Sequence, residues 1–170
     1  MVEGNITQPA RNLEVPTPSQ PAGPGSSPVE PHRRFVEAAG HRLETCRYGP
    51  GDVPLRVVLL HEGLGSVSTW RDFPARLAEQ LGEPVLAYSR PGYGQSTPGS
   101  EPRHPGSMHY DALVVLPALL GKLRINRPVL VGHSEGASIA LIHAGTFRDE
   151  SAGAAAGVAV MAPHLFVEST

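Results

Sequence analysis

The feature that most constrains the fold is the alternation of short apolar runs with helical patterns along residues 55–161. Four runs rich in Val, Leu and Ala have the character of strands buried on both faces of a parallel sheet: Leu55–Leu60, Pro84–Tyr88, Pro128–Gly132 and Ala154–Met161. Between them, apolar residues recur at helical spacing over 68–81, 110–123 and 135–147. This order predicts an α/β fold with a mostly parallel sheet and flanking helices.

The residues before the first apolar run divide into two zones. Arg33–Ala39 and Leu43–Tyr48 are extended segments around Gly40-His41, which predicts an antiparallel hairpin ahead of the parallel strands. Residues 1–31 are rich in Pro, Gly and Ser and have no hydrophobic periodicity, which predicts a disordered tail. The sequence therefore predicts one domain over 32–170.

Composition excludes several classes of protein. A net charge of -2 and 5% aromatic residues are unlike a nucleic-acid-binding protein. The single cysteine, Cys46, forms neither an internal disulfide nor a zinc site, and the histidines lack ligand spacing, so we expect no metal and no other cofactor. Without a membrane-length apolar run or a signal peptide, we expect a cytoplasmic protein that does not act at a membrane.

Three polar, glycine-containing loops begin where predicted strands end: His61–Ser66, Ser89–Ser96 and Gly132–Gly136. Right-handed crossovers bring the carboxyl ends of parallel strands to one edge of the sheet. Ligands bind at that edge in open α/β sheets. We therefore expect the three loops to form one site that takes a small-molecule substrate.

Ser134 is the candidate nucleophile in this site. It stands in Gly132-His133-Ser134-Glu135-Gly136, between a predicted buried strand and a predicted helix. A nucleophile elbow needs that context, with small residues on both sides so that the strand and helix backbones approach closely. The helix N-terminus also directs N–H groups toward an oxyanion. The alternative is a serine in an ordinary turn.

Together the three loops, in this order, resemble the α/β-hydrolase family over about residues 33–166. Leu59–Ser66 with Trp70 is similar to the family's His-Gly loop, and Tyr88–Ser96 is similar to its Gly-x-Gly-x-Ser loop. The resemblance implies that Ser134 is the nucleophile, that the backbone N–H groups of Gly63 and Glu135 form the oxyanion hole, and that three side chains lie near the pocket: His61, Tyr93 and His164. His61 is expected to brace its own loop. Glu62 and Ser89 depart from the family's usual glycine and frequent aspartate.

A serine hydroxyl needs an adjacent base, and the family's order is Ser, then Asp or Glu, then His. Because only one predicted strand follows the elbow, the family order places the triad acid and histidine beyond residue 170, and we expect a fold truncated after that strand. Within the chain, His164 is a candidate base because it follows a strand beside the elbow. His143, Asp149 and Glu150 lie too far along the helix, and the His133 side chain is expected to point away from Ser134.

Two functions remain. The first is a serine hydrolase that cleaves an ester or similar small carbonyl substrate through an acyl-enzyme. A serine nucleophile argues against dehalogenase chemistry, which uses aspartate in this family, and the hydrolysis of peptide, lactone or carbon–carbon bonds stays open. The alternative is a truncated, non-catalytic remnant that lacks the triad acid and histidine and has an unpaired sheet edge at 155–161. The oligomeric state stays open.

Overall fold

The computed structural model describes residues 31–99, 106–148 and 153–163. The predicted tail, apart from its last residue, lies outside the described residues, as do Asp149, Glu150 and His164. The strands are β1 His32–Ala38, β2 His41–Tyr48, β3 Val57–Leu60, β4 Val85–Tyr88, β5 Val129–His133 and β6 Gly157–Met161. The helices are α1 Phe73–Leu81, α2 Ser107–Tyr110, α3 Leu116–Leu123 and α4 Glu135–Thr146, with a 3-10 turn at Val67–Trp70 and a π-helical segment at Asp111–Val115.

The described strands form one sheet in the order β1-β2-β4-β3-β5-β6. β1 and β2 pair antiparallel, and β2 joins β4 antiparallel. β4, β3, β5 and β6 run parallel to one another. The predictions of an α/β fold with a mostly parallel sheet and of an N-terminal hairpin are therefore confirmed.

The core lies on both faces of the two central strands, and every residue of β3 and β4 is buried. On one face Leu60 and Leu130 pack with α3 and α4, and on the other Leu59 packs near Val67 and Ala78 of the 3-10 turn and α1. This packing explains why these strands read as continuous apolar runs. It also fixes their carboxyl ends at one edge.

The prediction of a buried strand over Ala154–Met161 is wrong in extent and in burial. The strand begins at Gly157, and Val158, Val160 and Met161 are 39%, 38% and 40% exposed. Within the described sheet, β6 pairs with β5 alone and is an edge strand. Hydrophobicity predicts a strand here but does not predict its position in the sheet.

Two predicted helices are also less regular than their periodicity indicates. The pattern over 68–81 divides at Arg71, which has a φ of 53°, and α1 begins at Phe73. Pro74 has no N–H to donate, so it is tolerated in the first turn of a helix and not in its interior. The helix over 110–123 begins at Ser107 and contains the π-helical segment. No helix in the described ranges is long and apolar enough to span a bilayer.

Candidate active site

Ser134 lies at the junction of β5 and α4 in a strained backbone conformation, with a φ of 53° and a ψ of -117°. Its N–H donates to the carbonyl of Met161 at 2.8 Å, and its own carbonyl accepts from the N–H groups of Ala137 and Ser138 at 3.0 and 3.2 Å. A residue with a Cβ in such a conformation costs about 1–3 kcal/mol and occurs mostly at functional sites. The surrounding hydrogen bonds hold this turn in place.

The two glycines of the elbow are required by close backbone contacts. A Cβ on Gly132 would lie 2.5 Å from the Cα of Ala137. A Cβ on Gly136 would overlap the carbonyl of Leu60 and lie 2.6 Å from the carbonyl oxygen of His61. The start of α4 therefore packs directly on the end of β3, which brings the elbow beside the loop that follows β3.

The loop after β3 places Gly63 next to Glu135. A Cβ on Gly63 would lie 3.2 Å from Oε2 of Glu135, so the two residues named as oxyanion donors are neighbours on either side of the site. The carbonyl of Glu62 accepts the Gly65 N–H at 3.0 Å, which closes a tight turn around Gly63. This turn presents the backbone of Gly63 at the edge of the sheet.

His61 is completely buried beneath this loop. Its Nε2 accepts the backbone N–H of Arg90 at 3.1 Å, so the proton is on Nδ1, which donates to the carbonyl of Glu62 at 2.7 Å. The ring also packs edge-on against Tyr93, with centroids 5.1 Å apart. Both ring nitrogens are thus used in hydrogen bonds that hold the loop.

Sequence reasoning missed Arg90, which is fully buried behind the site. Its Nη1 donates to Asp111 at 3.2 Å, and its Nη2 donates to Glu135 and to the carbonyl of Glu62, both at 2.9 Å. Asp111 is also buried, and the side chain of Glu135 is 19% exposed. Removing one member of such a network leaves an uncompensated buried charge, which is strongly destabilising. The available signal was an arginine two residues after the end of a buried strand.

Glu44 is a second residue that the sequence did not predict. It is buried on β2, and its Oε2 accepts the hydroxyl of Ser89 at 2.7 Å and the N–H of Gln95 at 2.9 Å. The Ser89 hydroxyl in turn accepts the N–H of Val67 at 2.9 Å. A carboxylate thus anchors the loop after β4, but it comes from the neighbouring strand and not from position 89.

The other candidate histidines differ in their surroundings. His133 is half exposed, and its Nδ1 lies 4.0 Å from Oε2 of Glu62. His143 is completely buried, and its ring nitrogens lie 2.9 and 2.8 Å from the carbonyls of Ala112 and Gly153. His143 is therefore a structural link within the fold. His164 lies outside the described residues, and within them no group of three side chains is arranged to hold a metal ion.

Residues 57–169 match the family model described as the alpha/beta hydrolase family. An sn-1-specific diacylglycerol lipase of Danio rerio is 35% identical over 95 residues, which are 55% of this chain and 27% of the relative. The chain thus spans about a quarter of the length of this curated relative.

Solved structures agree with the sequence match. Epoxide hydrolase A from Mycobacterium thermoresistibile aligns with a TM-score of 0.60 and 28% identity, over 76% of this chain and 38% of that chain. A protein from Thermoplasma acidophilum described as a predicted CIB-like hydrolase aligns with a TM-score of 0.67 and 18% identity, over 78% of this chain and 63% of that chain. At that identity the second likeness concerns the fold alone.

Proposed function

The chain belongs to the alpha/beta hydrolase family, and from this premise we propose that it is a serine hydrolase whose nucleophile is Ser134. The observation that carries this proposal is the strained backbone of Ser134 between β5 and α4. In a nucleophile elbow this conformation presents the hydroxyl at the edge of the sheet, where the loops after β3 and β4 also begin. We propose an ester or a similar small carbonyl compound as the substrate.

The proposed reaction proceeds through an acyl-enzyme. The Oγ of Ser134 bonds to the carbonyl carbon and loses its proton to a base, and the carbonyl oxygen becomes an oxyanion. The N–H groups of Gly63 and Glu135 stabilise that charge. The C–O bond to the alcohol then breaks, the alcohol takes the proton, and water releases the acid in a second attack that restores Ser134. The triad acid and histidine are not assigned, and within this chain His164 is one candidate for the base.

An acyl substrate is favoured over other hydrolase substrates by two observations. The relative from Danio rerio is named as a diacylglycerol lipase, and a lipase cleaves ester bonds. A serine at the elbow forms an ester with an acyl group, which water then hydrolyses. These points support the bond type and leave the identity of the acid and alcohol parts open.

A fluorophosphonate probe tests the nucleophile. We expect the full chain to be labelled at Ser134, as located by peptide mass spectrometry, and Ser134→Ala to abolish the labelling. Ser68→Ala removes an exposed serine on the 3-10 turn and is the matched control, which should label like the wild type. Labelling that persists in Ser134→Ala would overturn the assignment.

His164→Ala tests the candidate base, and a labelling rate unchanged by this substitution would exclude that role.

The second candidate is a non-catalytic protein of the same family that binds a ligand. It is favoured by the use of both ring nitrogens of His61 and of His143 in structural contacts. It predicts that the wild type neither reacts with the probe nor hydrolyses p-nitrophenyl acetate. Hydrolysis that depends on Ser134 would exclude this candidate.

A further inference from the structure

We propose that Arg90 is a positioning residue for the oxyanion hole, because its guanidinium holds the Glu62–Gly63 peptide and ties it to Glu135. The inference rests on the proposed function in taking the N–H groups of Gly63 and Glu135 as the donors. Beyond that function, the Arg90 guanidinium sets the direction of the Gly63 N–H and its distance from the Glu135 N–H. Sequence reasoning gave Arg90 no role.

The first step is the geometry of one peptide bond. The carbonyl of Glu62 and the N–H of Gly63 belong to the same peptide unit, and in a planar trans peptide they point in opposite directions. No described peptide bond is cis. The carbonyl accepts from Arg90 Nη2 at 2.9 Å and from His61 Nδ1 at 2.7 Å, both of them buried groups, and also from the Gly65 N–H at 3.0 Å. The N–H of Gly63 is therefore directed away from the buried guanidinium, and no backbone carbonyl of the described residues accepts a hydrogen bond from it.

The second step is the link to the elbow. The same Nη2 that donates to the Glu62 carbonyl donates to Oε2 of Glu135 at 2.9 Å. Glu135 is the first residue of α4, directly after Ser134. One nitrogen atom thus joins Glu62 and Glu135, which are 73 positions apart in the sequence and lie in the two segments that carry the proposed donors. Their separation is set by this bridge and by the contact between Gly136 and the end of β3.

The third step is the rigidity of the guanidinium itself. Its Nη1 donates to Asp111 at 3.2 Å, and the ring of Tyr93 covers it, with Cζ 4.8 Å from the ring centroid. A planar guanidinium offers several N–H groups in fixed directions, whereas a lysine ammonium is a compact charge on a flexible chain. A lysine at position 90 keeps the charge and loses the bridge. A cationic donor on the carbonyl also polarises the peptide, which strengthens the N–H on its other end.

The experiment compares Arg90→Lys and Arg90→Met with the wild type in the full chain. Arg76→Met is the matched control, because it removes the exposed ion pair between Arg76 and Asp72. Triple-resonance NMR through the Gly63 amide gives the carbonyl carbon shift of Glu62 and needs no catalytic activity. The second measurement is the rate constant of fluorophosphonate labelling at Ser134. The third is kcat and KM for the hydrolysis of p-nitrophenyl acetate. Thermal melting verifies that each variant is folded.

We expect both Arg90 variants to move the Glu62 carbonyl resonance and to lower the labelling rate constant and kcat by about 10- to 100-fold, a fraction of the loss known for removing an oxyanion donor. KM should stay within about twofold, because the interaction concerns the transition state. Arg76→Met should change none of these values.

Two results would overturn the inference: an unmoved Glu62 resonance, or a folded Arg90→Lys protein that is labelled at the wild-type rate. A loss confined to KM would also contradict it, because substrate binding would then be the property affected. A wild type that is not labelled at Ser134 defeats the proposed function instead. In that case Arg90 does not position a catalytic donor. A change in the Glu62 carbonyl shift would still identify Arg90 as a group that orients the Glu62–Gly63 peptide.

Discussion

At the scale of single residues, the site combines one backbone conformation that lowers stability with buried side chains that raise it. Ser134 has a strained backbone, whereas Arg90 and Glu44 anchor the loops around it through buried hydrogen bonds. Ser134 could be singled out as the proposed nucleophile because it stands in a local motif with glycines at fixed spacing. The roles of Arg90 and Glu44 could not be predicted, because the partners of their side chains lie up to 51 positions away in the sequence.

Ser134→Gly should stabilise the protein while it removes the proposed nucleophile. Glycine has no Cβ and adopts positive φ at little cost, so we expect a gain of about 1 kcal/mol in the free energy of unfolding. Ser134→Ala keeps the Cβ and is the control, with a stability close to that of the wild type. Urea unfolding of the three proteins measures the difference. Equal stability of the glycine and alanine variants would show that the conformation stores no strain.

The Tyr88→Phe variant should lose less of its free energy of unfolding than the wild type as the pH rises into the alkaline range. Burial raises the pKa of the Tyr88 hydroxyl, the Asp111 carboxylate adds to the effect, and Arg90 opposes it. Above a pH of about 10, the tyrosine ionises in the unfolded chain and resists ionisation in the fold, so stability falls as pH rises. Tyr88→Phe removes this contribution.

The same substitution should cost little at neutral pH. The Tyr88 hydroxyl is buried and has no hydrogen-bond partner among the described residues, so its removal leaves no polar group unpaired. Thermal melts between pH 7 and 11 measure both effects, with Tyr110→Phe at an exposed position as the control. An alkaline slope unchanged in Tyr88→Phe would contradict the argument.

At the scale of elements, α4 carries two kinds of glycine. Gly136 packs its Cα against the end of β3, whereas Gly145, near the other end of the helix, has open space around it. Periodicity predicted the helix, and the elbow motif predicted a small residue at 136. The identity of the contacting backbone, the carbonyls of Leu60 and His61, depends on how α4 crosses the sheet and is absent from the local sequence.

Gly136→Ala and Gly145→Ala should therefore change stability in opposite directions. A methyl at 136 overlaps a backbone carbonyl that cannot move without disturbing β3, so we expect a loss of about 2–3 kcal/mol. A methyl at 145 meets nothing, and alanine is the better helix former, so we expect a gain of up to about 1 kcal/mol. Chemical denaturation of both variants tests the contrast. A tolerated Gly136→Ala would mean that α4 does not press on β3 as closely as described.

At the scale of the whole molecule, the described sheet is asymmetric. Its two edge strands are β1, which has mostly polar exposed residues, and β6, which pairs with β5 alone and exposes three apolar side chains: Val158, Val160 and Met161. An apolar edge strand is a template for pairing with another chain. The 170-residue chain should therefore associate with itself as its concentration rises.

Val160→Lys should suppress this association without lowering stability. A charge on an edge strand opposes edge-to-edge pairing, and the side chain at 160 is 38% exposed. Val114→Lys places the same charge on an exposed position of the π-helical segment and is the control. Sedimentation velocity over a range of concentrations separates the two. Equal association of both variants would exclude β6 as the contact.

The sequence by itself determined the fold class, the hairpin, the family and the position of the elbow, because each depends on local periodicity or on a motif of fixed spacing. It also predicted that three loops meet at one edge, since parallel strands with right-handed crossovers leave no other arrangement. The tertiary structure alone decided which side chains connect those loops. The contacts of Arg90 with Glu62, Asp111 and Glu135, and of Glu44 with Ser89, join residues that only the packing brings together. A buried charge is stable only beside compensating partners, and these partners are distant in sequence, so no local sequence pattern identifies them.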